Sequence, residues 1–92
     1  MNRKVNVMGA EDFKETGMFF YCSSDDVSRQ SRSDVLECLK GAEKITLENE
    51  KEYKIMMIDP MMAQFTNKAV FLVKVDAKDI PAGIYPTTAT IH

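Results

Sequence analysis

Apolar residues along this chain fall into short runs with strand character, and only one stretch shows clear helical spacing. Residues 69–75 (AVFLVKV) are β-branched and apolar on both sides of the alternation, as in a strand covered on two faces. Residues 18–22 (MFFYC) read the same way, as a central strand. A first strand is predicted over 4–8 (KVNVM), where the alternation is weaker. The segment 9–17 (GAEDFKETG), bracketed by glycines, reads as a loop or one helical turn. Further on, ITL (45–47) and EYKIMMI (52–58) flank the charged turn ENEK, in which Asn49 suits a left-handed position. Ile80-Pro81-Ala82-Gly83 has β-turn chemistry. The tail IYPTTATI (84–91) is a threonine-rich strand whose Pro86 cannot donate to a ladder. That places it at a sheet edge, or starts its pairing after the proline.

The helical stretch begins at Ser31, which with Asp34 three positions on forms a capping-box-like start. Val35, Cys38, Leu39 and Ala42 then recur on one face, and Gly41 offers a stop, so the main helix is predicted over about 32–40. Asp59-Pro60 reads as a second helix start, with aspartate as cap and proline at the first position. A short helix over 61–65 (MMAQF), ended by Asn67, follows from it. Long parallel crossovers are scarce. These elements predict a small single-domain α+β fold, a mostly antiparallel sheet of five to six short strands with the main helix packed on one face.

Composition narrows the function more than the fold. The 92 residues suit one compact domain spanning 1–92, and 45% hydrophobic with 28% charged residues is ordinary for a globular chain. Because the chain opens on methionine, a complete stand-alone protein is expected. Twelve basic and fourteen acidic residues leave a net charge of −2, without the basic footprint of a nucleic-acid binder; nucleic acid is not an expected partner. No apolar run reaches bilayer-spanning length, and the amino terminus lacks the apolar core of a signal peptide. Cys22 and Cys38 show no metal or redox spacing. A reduced, cytoplasmic setting without membrane association is expected.

Candidate chemistry centres on Cys22, at a strand end just before the helix. The interval from Cys22 to Arg29 holds six residues where a phosphatase loop has five. Its SSDDVS has no glycine to curl around phosphate and carries two aspartates that repel it. Cys22 therefore reads as a small buried hydrophobe, and Cys38 as part of the apolar helix face. The single histidine, His92, is the last residue and a poor general base. No catalytic residue, metal site or cofactor is predicted.

Two features point instead to recognition. The polar loop SSDDVSRQSRS offers Arg29 and Arg32 as anchors with Asp25 and Asp26 as their counter-charges. The methionine-rich IMMIDPMMAQF places Met56 and Met57 on opposite strand faces, with one of each methionine pair filling the core. The competing reading leaves part of Met61, Met62 and Phe65 exposed as an adaptable apolar surface for a partner. The resulting expectation is a small non-enzymatic regulatory protein of inhibitor or adaptor type, of the kind phages and mobile elements carry, binding another protein. The alternatives are a structural subunit that self-associates through the edge-like tail, and a small enzyme using a thiol or carboxylates.

Overall fold

The computed structural model describes residues 2–25, 31–61 and 68–92. In chain order the elements are β1 (Arg3–Phe13), β2 (Gly17–Ser24), α1 (Arg32–Cys38), β3 (Lys44–Leu47), β4 (Glu52–Met61), β5 (Ala69–Asp76) and β6 (Thr87–Ile91). The strands close into an antiparallel barrel in the order β1-β2-β5-β4-β3-β6, with β6 returning to β1. This corrects the expected α+β sheet with a covering helix. At 1.5 Å per residue, the seven residues of α1 reach only about 10 Å, too little to cover six strands. Closure hides the apolar face without a helix, because one alternate set from each strand can point at the barrel axis.

That inward set fills the interior. Val5, Val7, Phe20, Cys22, Ile45, Leu47, Phe71, Val73, Val75, Ala89 and Ile91 are buried in one cluster, joined by Val35 and Leu39 from the helical segment. Phe20 anchors it, with its ring edge-on to Tyr53 at 5.3 Å between centroids. The helix starts as expected: the Ser31 side chain accepts from the Asp34 N–H at 3.1 Å. Gly41, at φ +84, follows its end.

Four local expectations are overturned. β1 runs on through the segment read as a loop as far as Phe13, bending at a bulge between Val7 and Gly9. In the β3–β4 turn it is Glu50, at φ +69, that takes the left-handed conformation, while the Asn49 side chain accepts from the Lys51 N–H. Asp59, Pro60 and Met61 continue β4 instead of starting a helix; the rest of the segment read as that helix lies outside the described residues. Finally, a bulge between Ile55 and Met57 leaves both Met56 and Met57 exposed, so neither fills the core.

Pro60 is tolerated in β4 for a geometric reason. A residue in an antiparallel strand turns its N–H and C=O to the same side. The Pro60 carbonyl accepts from the Arg32 guanidinium, so the missing N–H also lies away from the β5 ladder.

The tail does not form an edge. β6 does start after Pro86, but it pairs with β1 on one side and β3 on the other, which closes off self-association through its ladder. Closure involves only part of the longer strands. β6 pairs with β1 over Arg3–Val7, and β3 with β4 over Glu52–Lys54. Beyond these stretches, β1 from Gly9 to Phe13 pairs only with β2 among the described residues, and β4 from Met57 to Met61 only with β5.

Candidate functional site

The outer wall of the barrel has two unlike sides. Over β3, β6 and the start of β1 it presents Lys4, Thr46, Glu48, Thr88, Thr90 and His92, a polar surface. His92 is held there, with its backbone paired to Lys44 and its Nε2 2.7 Å from Thr46 Oγ1, so the terminal residue is fixed in place.

The opposite wall, across β1, β2, β5 and β4, follows from the register. Gly9 faces Tyr21, Tyr21 faces Leu72 and Leu72 faces Asp59; in the next row Glu11, Phe19, Lys74 and Met57 lie side by side. Phe20, Cys22, Phe71 and Val73 take the inward positions, leaving Phe19, Tyr21 and Leu72 on the outside. An antiparallel wall facing water normally carries polar residues at such positions. Here Met8, Phe13, Tyr21, Met57 and Met61 are each more than a third exposed. Phe13 packs edge-on against Phe19 at 5.4 Å, which gives the wall a fixed aromatic ridge. Between the ridge and Met61 runs an open groove of about 480 Å³, floored by Tyr21 and Leu72 and bordered by Met8, Gly9 and Glu11.

Of the residues singled out by sequence, Met61 lines this groove. Asp26, Arg29, Met62 and Phe65 lie outside the described residues. The two charged residues of the polar loop that are described, Arg32 and Asp25, both make contacts outside the loop. Arg32 reaches Asp59 at 3.0 Å and the Pro60 carbonyl, while Asp25 meets Lys68 at 3.8 Å. Both ion pairs are well exposed and add little stability. Sequence reasoning missed Met8, Phe13, Phe19, Tyr21 and Leu72. The available signal was that both alternate sets of MFFYC are apolar, when a closed barrel buries only one.

Cys22 is fully buried inside the barrel, and burial pushes its thiol well above the ordinary range, opposite to what a nucleophile needs. Tyr53 and Tyr85 are also raised. Desolvation is the first cause for both, with Asp79 contributing at Tyr53, and Tyr53 and Cys22 at Tyr85. The Tyr85 hydroxyl donates to the Pro81 carbonyl at 2.7 Å. A raised folded-state value means the unfolded chain loses the proton first. The Cys22 contribution is therefore complete below an unfolded thiol value of about 8.5 and is lost as pH rises above it, at up to about 1.4 kcal/mol per pH unit. Denaturant titrations between pH 7 and 10 are expected to show stability falling above about pH 8.5, with a shallower fall in Cys22→Ala. An equal slope in both proteins would assign the fall to other groups.

Both cysteines are free thiols, and among the described residues no three His, Cys, Asp or Glu side chains converge as metal ligands. No helix among the described residues is long and apolar enough to cross a membrane. No protein-family model, curated protein or solved structure matches this chain.

Proposed function

We propose that this is a non-enzymatic regulatory protein of inhibitor or adaptor type that binds another protein through the apolar wall of its barrel. The observation that carries the reading is the run of outward apolar side chains, Met8 and Phe13 on β1, Tyr21 on β2, Leu72 on β5 and Met57 and Met61 on β4, on four adjoining strands of a barrel whose opposite wall is polar. An interface core of aromatic and methionine side chains with a charged rim has this composition. The rim supports a protein partner over a nucleic acid. Glu11 stands on the wall with Asp12 beside it, Lys74 is the basic side chain in the Glu11–Phe19 row, and Asp59 is paired with Arg32; a rim so balanced lacks the basic excess that phosphates favour. Among the described residues, Glu11 and Tyr21 are the groove residues with ionisable side chains, without a nucleophile or a paired base lining the groove with them, which supports binding over catalysis. The two free thiols support a reducing, cytoplasmic setting.

Site-directed photocrosslinking tests this reading. A benzophenone side chain at position 21 is expected to capture a distinct protein in cells expressing the chain, and one at Thr88 on the polar wall is not. Equal capture from both walls, or capture of the chain itself alone, overturns the reading.

A further inference from the structure

The groove lies beside a strand edge, the side of β1 Gly9–Phe13 away from β2, that none of the other described strands pairs with. We propose that the partner supplies an extended segment that adds to the sheet along β1 Gly9–Phe13, with a basic side chain flanked by apolar ones. This rests on the apolar wall being the binding surface. Gly9–Phe13 pairs only with β2 among the described residues, on the far side from the open edge. The Phe13 carbonyl points to the hairpin side, where it accepts the Thr16 N–H at 3.0 Å. By alternation, Ala10 and Asp12 direct their N–H and C=O outward, as docking points for an added strand.

The side chains of Gly9, Glu11 and Phe13 share the outer face with Tyr21 and Phe19. An added strand therefore places alternate residues over that face, opposite Gly9, Glu11 and Phe13 in turn. Gly9 leaves a notch, since a Cβ there meets nothing within 4 Å. A large apolar side chain fits beside it, against Met8 and Tyr21. Opposite Glu11 a lysine or arginine is favoured by cross-strand charge pairing, and opposite Phe13 a second apolar residue.

The acidic residues also argue against a second copy as occupant. Two β1 edges paired about a two-fold at Glu11 or at Asp12 put that carboxylate against its own copy, an arrangement that like charges disfavour. A heterologous basic strand meets no such penalty.

The test uses two blocked heptapeptides, Thr-Leu-Thr-Lys-Thr-Leu-Thr and its glutamate counterpart at the central position, read by amide chemical shifts and hydrogen exchange. The lysine peptide is expected to bind about three- to ten-fold tighter than the glutamate peptide at low salt. It is also expected to slow exchange at Ala10 and Asp12. Glu11→Lys, at an exposed position, inverts the peptide preference, and Gly9→Ile weakens binding of both peptides while the fold persists. Binding without protection of Ala10 and Asp12, a preference unchanged by Glu11→Lys, or no saturable binding of either peptide overturns the proposal. If position 21 still captures a partner in that event, the apolar-wall reading survives and strand addition alone fails. Loss of both removes both.

Discussion

Replacing Phe71 by alanine is expected to lower the unfolding free energy by about 3–5 kcal/mol, whereas Tyr21→Ala changes it by less than about 1 kcal/mol. The two aromatic residues stand on neighbouring strands, where Tyr21 pairs with Leu72, the residue after Phe71. What separates them is the side of the barrel wall. Phe71 is fully enclosed among Val, Ile and Phe side chains, so truncation forfeits its transfer energy and leaves a cavity in a closed interior. Tyr21 is 38% exposed and gives up mainly surface contact. A 92-residue domain is stable by roughly 5–14 kcal/mol in all, so the Phe71 change removes a large share of it. Urea denaturation with an unchanged m-value measures both. Equal losses at the two positions would mean that the wall does not separate inside from outside along these strands.

That separation marks where the sequence became ambiguous. The strand character of 69–75 and 18–22 follows from local apolar density, and the structure contains β5 and β2 there. The helix cap at Ser31 was equally legible, because capping needs only residues three apart. Closure is a different kind of fact. Arg3 pairs with Ile91, from opposite ends of the chain, and nothing within a short window encodes that meeting. Without closure, a two-sided apolar strand implies a cover, and the helix was the available cover.

Two local signals misled for related reasons. Aspartate followed by proline suits a helix start, yet proline also suits a strand with one side unpaired, and the tertiary contact of Arg32 with Pro60 belongs to the second case. In GAEDFKETG the glycines and charges suggested a loop, although Glu11 and Phe13 alternate with Ala10 and Asp12 across an open-edged hairpin. The groove was legible only at Met61, for its unusual composition. Its other walls depend on which alternate set faces outward, and register alone decides that.

Charge placed in the groove is expected to separate binding from folding. Tyr21→Asp and Met61→Asp should each weaken the complex with the partner captured at position 21 by at least about thirty-fold, equivalent to a hot-spot loss of about 2 kcal/mol. A carboxylate there must be stripped of water when the partner covers the groove, and among the described residues no basic side chain lines it to compensate. In the free protein both side chains already meet solvent, at 38% and 42% exposure, so the same charge stays hydrated and the thermal transition should move by only a few degrees. Calorimetric titration and thermal melts on the same variants measure the two effects. Thr88→Asp, on the polar wall, should leave both unchanged. The two possible failures are informative in different ways. Variants that unfold would show that Tyr21 and Met61 complete the core, and variants that fold and still bind would move the interface off this wall.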